Sequence, residues 1–596
     1  MAATTTVQPA LAGGGFLLSA ADPAQVFTPE DFSAEHHAIA AATDEFFDKE
    51  VAPNLEAILN QDKAAAIGVL RKSAELGLTA VLVPEEYGGM ELDLVSAMVV
   101  AEHLGKDGSY GGWHGAHSGI GTMPLLLFGT PEQKSRYLPR LVKAEMVGAY
   151  CLSESQAGSD ALAIKTRADL DAGGTHYVLN GQKMWITNGG GADLYTVFAK
   201  VNGEQFTAFL VERAWPGVST GAEEKKMGIK GSSTTAVYLD NVRVPVENVL
   251  GDIGRGHIIA FNILNLGRLK LGPGLAGACK HVLAACLKYA GERIAFGKPI
   301  AEFGLIQHKL AEMAIRTFAT ETISYRVTGM IEQRLAEFSW QRPGAAQTMM
   351  SAIEEFAAEC SYVKVFASEA LAYVADEGVQ IHGGHGYHQD YLVERVYRDA
   401  RINRIFECTN EINRMLATGM LIKRAQRGRL PLVEAVRSLQ AEVMSPPALG
   451  ADAAGGPLAG ELQMAANAKK IALFCLGAAY QKYRDGLENQ QEILAGITDI
   501  AMNAFAMESI CARTVKLAAA GGGEMASAMA AVFARQAMGE IELAARSILA
   551  ATAEGDALRM NLTVLKRFTR FEPVDVIQLR RKIARRLLDA GRYVAA

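Results

Sequence analysis

Glu407 stands in the run RINRIFECTNEI, an acid flanked by Ile405, Phe406 and Cys408 and preceded at three-residue steps by Arg395, Arg398, Arg401 and Arg404. A carboxylate in a dry pocket has its pKa raised and becomes a competent base near neutral pH. The same acid at a solvated helix start would be only the anionic end of a basic face, and these residues alone do not choose between the two. A second candidate is QIHGGHGYHQD, Gln380 to Asp390, with His382, His385 and His388 spaced by three among Gly383, Gly384 and Gly386. Three imidazoles suggest a metal, whereas the glycines suggest a loop whose backbone approaches a phosphate. A third is AYCLSESQAGSD, where Ser153, Ser155, Gly158 and Ser159 would present N–H groups to a phosphate or a polar ring. The fourth is KMWITNGGGAD, which sets the Trp185 indole two residues before the Thr187 hydroxyl, on one face of a strand. That pair would stack on a flat cofactor and bond its edge, or be a core Trp beside a solvent-facing Thr.

These residues need elements to hold them. From Ser33 to Val147 apolar residues recur at helical spacing, as in AAAIGVLRKSAELGL and DLVSAMVVAEHLG. Near Gly148 the pattern turns to alternation: THYVLNGQKMWIT reads as a hairpin turning at Asn180–Gly181, and LYTVFAKV, QFTAFLVE and TTAVYLDNVRVP read as further strands. After Gly256 long helical periodicity returns, breaks at the Pro/Gly/Ala stretch 444–461, and resumes to the end. The reading is α+β, mainly α, in five parts: a flexible tail 1–28, an N-terminal helical domain 29–147, a middle β-barrel or sandwich domain 148–256, a helical-bundle domain 257–427 and an extra helical domain 428–596. Segregated strands exclude a doubly wound α/β sheet, and no Walker loop or strand-borne GxGxxG is present.

Bulk properties narrow the class. A net charge of −6 gives no whole-chain attraction to nucleic acid. Seven cysteines without CxxC pairing read as a reducing compartment. The first basic residue is Lys49, so a charged leader is not expected, and no run approaches the ~18 apolar residues of a spanning helix. The expectation is a cytoplasmic protein. DVIQLRRKIARRLL places Ile577, Ile583 and Leu587 among Arg580, Arg581, Lys582, Arg585 and Arg586, a basic amphipathic helix that would either pack on another helix or rest on an anionic inner-membrane surface.

Taken in order, PEEYGGMELD, GTPEQKSRYLPRL, SESQAGSD, NGQKMWITNGG, DNVRVPVENVLG, RIAFGKPIAEFGLIQHKLA, QIHGGHGY and IFECTNEI resemble the acyl-CoA dehydrogenase family over residues 30 to 427. The block after Met444 resembles the C-terminal extension of the family's very-long-chain branch. The resemblance implies an N-terminal helical domain, a middle β domain and a C-terminal four-helix bundle, with FAD as cofactor. It implies that Tyr150, Leu152, Ser153, Gly158, Ser159, Trp185 and Thr187 line the flavin, that Arg293 and Phe296 reach the FAD of a second subunit in a homodimer, and that Gln380, Gly383 and Gly384 cradle the adenosine and pyrophosphate. Thr409 and Glu411 fall on further FAD positions, and no metal is implied.

By the same resemblance Glu407 is the base that takes the α-proton of an acyl-CoA thioester, while hydride leaves the β-carbon for FAD, giving a trans-2-enoyl-CoA. Electrons would pass to electron-transfer flavoprotein. One branch keeps its base beside the arginine matching Arg268, a position that reads as Gly267 here and cannot serve. Arg268, Phe406, Cys408 and Ser159 are expected at the substrate. Small residues at Gly112 and Ala116 imply a deep tunnel for long acyl chains. The family usually has glycine where Cys408 stands, so a left-handed backbone or a tight fit there would be disturbed. Two other readings keep the fold: an acyl-CoA oxidase-like enzyme, and a non-catalytic scaffold or assembly protein.

Overall fold

The structure is a computed structural model that describes residues 12–444 and 458–596. Most of the 444–461 break, and residues 1–11 of the expected tail, lie outside the described residues. Residues 13–28 are not loose. Phe16 and Leu17 are buried, Phe16 packs edge-on against Tyr362 and Phe505, and the Gly13 and Gly14 N–H groups donate to Glu355 and Glu359. A short apolar segment can dock in a groove even where composition reads as tail.

The N-terminal helices are α1 (Ala34–Phe46), α2 (Leu55–Leu59), α3 (Lys63–Glu75), α4 (Leu94–Leu104), α5 (Gly108–Ala116), α6 (Met123–Phe128) and α7 (Pro131–Val142). Their starts follow capping chemistry: Ser33, Asp62, Asp93, Asp107 and Thr130 each accept from a first-turn N–H. Between α5 and α6 the residues His117–Gly121 form one π-helical turn, a wide turn often found beside functional sites.

Strands β1 (Gly148–Cys151), β2 (Arg167–Leu170), β3 (His176–Thr187), β4 (Leu194–Val201), β5 (Gln205–Glu212), β6 (Val218–Thr220), β7 (Thr234–Pro245) and β8 (Val249–Leu250) make one sheet in the order β6-β7-β3-β2-β4-β5-β8, with β1 parallel to β4. One face closes over its own core of Cys151, Leu179, Val197, Phe209 and Val242, and Tyr150, Leu152 and Phe198 join the helical core. The expected hairpin at Asn180–Gly181 is absent: β3 runs straight through it, shifting register against β7 between Leu179 and Gly181. Pairing along the whole of β7 outweighs the local turn signal, and a side chain at Gly181 would collide with Thr166.

The bundle follows: α8 (Gly256–Glu292), a β9 (Ile294–Ala295) and β10 (Lys298–Pro299) hairpin, α9 (Gly304–Arg334), α10 (Ala345–Glu355), α11 (Ala357–His382), α12 (Leu392–Ala400) and α13 (Asn410–Gln426). Helices α8, α9, α11 and α13 form the four-helix core, with α11 central. The extension is α14 (Leu432–Met444), α15 (Ala459–Tyr483), α16 (Gln491–Ala519), α17 (Glu524–Thr552), α18 (Gly555–Phe568) and α19 (Val576–Ala590). Contrary to the sequence expectation, α16 is long and apolar enough to cross a membrane, yet 83% of its apolar window is buried between the bundle and the extension. In α19 the stripe of Ile583, Ala584 and Leu587 is buried against α9 and α17, while Ile577 is exposed.

Buried ion pairs bind these layers. Arg513 of α16 meets Glu321 of α9 and Glu30, and Lys280 of α8 meets the same Glu321 and Glu102 of α4. The Tyr325 hydroxyl donates to Glu102 and that of Tyr593 to Glu321. Arg326 of α9 pairs with Glu508 of α16 at 2.7 Å.

Candidate active site

Glu407 lies in the short connection between α12 and α13, where Thr409 caps α13 by accepting from the Ile412 N–H. Glu407 and Cys408 both take left-handed backbone, φ 54° and 67°, a conformation costing about 1–2 kcal/mol per non-glycine residue. Their carbonyls hold it. Asn413 Nδ2 donates to the oxygens of Glu407, Cys408 and Thr409 at 3.2, 3.0 and 3.0 Å, and Lys364 Nζ donates to the Cys408 oxygen at 2.7 Å. Arg268, buried on α8, points Nε at the Glu407 oxygen (3.4 Å) and Nη2 at the Cys408 thiol (3.5 Å).

The Glu407 carboxylate itself has no hydrogen-bond partner among the described residues. Its Oε2 is shielded from solvent, and burial lifts its pKa to about 7 against the opposing pull of Arg268 and Lys364. An unpaired buried carboxylate in that range takes up protons readily near neutral pH. The Glu407 N–H donates to no described residue. Lys364 pays for its position: burial drives its amine down to about 8, although Glu407 and Cys408 pull it up.

The carboxylate faces a cavity of about 220 Å³ whose lining includes Gly112, Ala116, Thr187, Gly267, Phe406 and Glu407. Its residues on α8 run from Ile263 to Ala278, about 22 Å at 1.5 Å per residue. The cavity thus joins Thr187, Glu407, Phe406, Gly112 and Ala116 of the sequence candidates. Arg268 and Cys408 sit behind the base, outside the lining, so the thiol side chain does not fill the space. Ser159 is exposed on the 155–160 loop and does not line the cavity either.

Trp185 occupies a bulge of β3 with φ 57°, and its indole is 57% exposed, so the core-Trp alternative fails. Tyr150 is buried, its hydroxyl 3.3 Å from the Ala260 carbonyl, and Leu152 is buried beside it. The Ser153 backbone carbonyl accepts from the Met184 N–H at 3.0 Å, while Gly158 is exposed with no described atom near its Cα face. A buried ion pair fixes the root of this loop: Lys183 Nζ donates to Glu154 Oε1 at 2.7 Å and to the Leu152 carbonyl at 3.1 Å. Burial would raise the Glu154 pKa, but Lys183 and Thr166 hold it at about 2.

The glycine–histidine segment caps the C-terminus of α11, with Gly383 left-handed at φ 58°. The three histidines diverge. His382 bonds the Gly378 carbonyl and stacks on Tyr289, His385 meets the Tyr289 hydroxyl at 2.8 Å and stacks on Tyr391, and His388 is exposed beside Asp390. Gly383, Gly384, His382 and His385 line a groove of about 350 Å³ with Tyr289 and Arg293. Gln380, in the last turn of α11, and Glu411, in the first turn of α13, are exposed. Phe296, on the tip between β9 and β10, is 96% exposed. Tyr289 lies about 33 Å along α8 from Gly267, so the groove and the cavity are separate places in one chain.

Sequence reasoning missed Lys364, Asn413 and the Glu154–Lys183 pair. A lone lysine in the apolar helical run ECSYVKVFA, and one at an inward strand position in LNGQKMWIT, were the available signals.

Four family models match the chain: the acyl-CoA dehydrogenase N-terminal domain over residues 33–145, its middle domain over 149–242, its C-terminal domain over 254–421, and a further acyl-CoA dehydrogenase C-terminal domain over 467–567. A probable acyl-CoA dehydrogenase of Bacillus subtilis is 47% identical over 98% of both chains. The human mitochondrial very long-chain specific acyl-CoA dehydrogenase is 37% identical over 74% of this chain and 68% of its own. The crystal structure of an acyl-CoA dehydrogenase complexed with FAD from Bacillus anthracis superposes with a TM-score of 0.96 at 47% identity, covering 98% of this chain and all of the other.

Proposed function

The chain belongs to the acyl-CoA dehydrogenase family, and from that premise we propose that it is an FAD-dependent enzyme converting long-chain acyl-CoA to trans-2-enoyl-CoA, with electrons passing to an electron-transfer flavoprotein. The observation that carries the reading is the unbonded Glu407 carboxylate facing an apolar cavity beside Thr187.

The residues fit a flat, extended dinucleotide. An exposed indole at Trp185 offers a stacking face, the open backbone of Gly158 admits close approach, and the Arg293–Gly383–Gly384 groove offers a cation and open glycines to phosphate. FAD, when bound, supplies the acceptor for the β-hydride. Glu407 Oε2 removes the α-proton, and its buried setting favours the protonated product of that transfer. The Glu407 N–H, which donates to no described residue, would donate to the thioester carbonyl and so polarise the α C–H bond. Arg268 and Asn413 bond the backbone carbonyl of the base, and Lys364 bonds that of Cys408 beside it, which together fix its aim.

Long chains are supported by the extent of the lining along α8 and by its small residues, Gly112, Gly115, Ala116 and Gly119. A homodimer is supported by the distance between groove and cavity and by the bare Phe296, which suit the two ends of FAD held by different copies. The cytoplasm remains the proposed location. Membrane contact would fall to the exposed basic residues Arg581, Lys582, Arg585 and Arg586, since the central stripe of α19 is packed.

Anaerobic titration with palmitoyl-CoA tests the reading. Bleaching of the flavin band in the wild type, absent in Glu407→Gln with FAD still bound, is the expected result. A flavin that no thioester of any length or branching bleaches would remove the dehydrogenase assignment, and peroxide formed in air would move it to the oxidase-like reading.

A further inference from the structure

Lys270 lies one turn past Gly267 on α8 and lines the same cavity as Glu407. Its Nζ donates to Ser118 Oγ at 2.8 Å, and that hydroxyl, on the π-helical turn, donates to the His114 carbonyl at 2.8 Å. Ser118 is its only hydrogen-bond partner among the described residues, and none of them places a carboxylate within ion-pair distance of Nζ. His114, on α5, lines the cavity too, and its buried Nε2 has no hydrogen-bond partner among the described residues. Burial pushes the Lys270 amine down to about 8 and the His114 imidazole well below its usual value.

The neighbours on α8 are hydrocarbon: Ile263, Leu266, Leu271 and Leu275. A cation among them is costly unless something pairs with it. An ammonium carries three donors, and a plain polymethylene chain can accept none of them. Each of the other interior lysines described above has two acceptors inside the protein, against the single hydroxyl at Lys270: Lys183 has Glu154 and the Leu152 carbonyl, Lys280 has Glu102 and Glu321, and Lys364 has Asn410 and the Cys408 carbonyl. Lys270 instead keeps its capacity for whatever enters the cavity.

We propose that Lys270, braced by Ser118 from an adjoining small cavity, forms a polar subsite in the wall of the acyl cavity, which binds an oxygen-bearing group, best a carboxylate, on the acyl chain of the thioester. This rests on the acyl-CoA reading of the cavity. Lys270 follows Gly267 by about 4.5 Å of helix, so the group it receives sits only a few methylenes past the reacting carbons. The preferred substrates are then oxygenated or dicarboxylic acyl thioesters rather than unadorned chains of equal length.

The test is calorimetric binding to the FAD-loaded Glu407→Gln protein, which cannot turn over, of hexanoyl-, octanoyl- and decanoyl-CoA and their ω-carboxylated counterparts. At one of these lengths the carboxylated ligand should bind at least on the order of tenfold tighter, as a charge-assisted hydrogen bond provides. Adding Lys270→Met should abolish or reverse that preference, Lys270→Arg should keep it, and Ser118→Ala should alter it. Equal or weaker binding of the carboxylated ligand at every length, or a preference that survives Lys270→Met in a protein of unchanged melting temperature, overturns the subsite alone. Absence of binding by every thioester overturns both the subsite and the acyl-CoA reading.

Discussion

A methyl group placed on Gly267 would lie 2.7 Å from Glu407 Oε2 and 2.9 Å from its carboxyl carbon, so the backbone of α8 is the surface against which the base rests. Gly267→Ala should displace the carboxylate by a large fraction of an ångström while leaving FAD bound. We expect kcat to fall by about a hundredfold, as misplacement of a reacting group does. Steady-state turnover at matched flavin content measures it, and unchanged kcat would mean the carboxylate has other room.

The raised pKa of Glu407 fixes the sign of two pH effects. The base works ionised, so the rate of flavin bleaching should climb as pH rises through about 7. The native state also retains a proton that the unfolded chain releases near 4.5, so this group makes the protein less stable as pH rises from there to about 7. Glu407→Gln lacks that loss. Its melting temperature should therefore exceed the wild type's by more at about pH 8 than at about pH 5. A constant difference would show a carboxylate with an ordinary pKa.

Cys408 bears a Cβ at φ 67°. Cys408→Gly relieves about 1–2 kcal/mol of left-handed strain and gives back a little under 1 kcal/mol in the greater freedom of the unfolded chain. The net expectation is a gain of roughly 0.5–1 kcal/mol, read as a higher urea midpoint. A lower midpoint would mean that the contact between the thiol and Arg268 outweighs the strain.

Lys183→Met leaves Glu154 buried without its counter-ion. The cost should be ~3–5 kcal/mol, with loss of flavin as the 152–165 loop loosens. Adding Glu154→Gln should recover most of the melting temperature. If the double variant is as unstable as the single one, the lysine acts through the Leu152 carbonyl instead.

The order of helical, β and helical segments was legible because each period persists over many residues, and Glu407 was legible from its apolar flanks. What escaped depended on partners distant in sequence. Asn180–Gly181 carries every local mark of a hairpin, and only its pairing with Asn241 and β7 keeps the strand extended. Gly267 reads in sequence as a base that is missing, whereas in space it is the room the base requires. Lys364 lies 44 residues from the carbonyl it holds, a relation no window on the sequence contains. Phe16 belongs to a segment whose composition suggests a tail, and its binding groove is built from α11 and α16.

The chain of buried charges from Glu102 through Lys280, Glu321 and Arg513 to Glu30 has a consequence for how the molecule comes apart. Each member neutralises a neighbour from a different layer, so no layer can leave without stranding a charge in another. Removal of the extension would take Arg513 from Glu321 and leave Arg326 without Glu508. The last helices are thus no appendage to an otherwise self-sufficient catalytic unit. Melting should be a single cooperative event across the whole chain, and a shortened polypeptide ending before α14 should aggregate rather than fold.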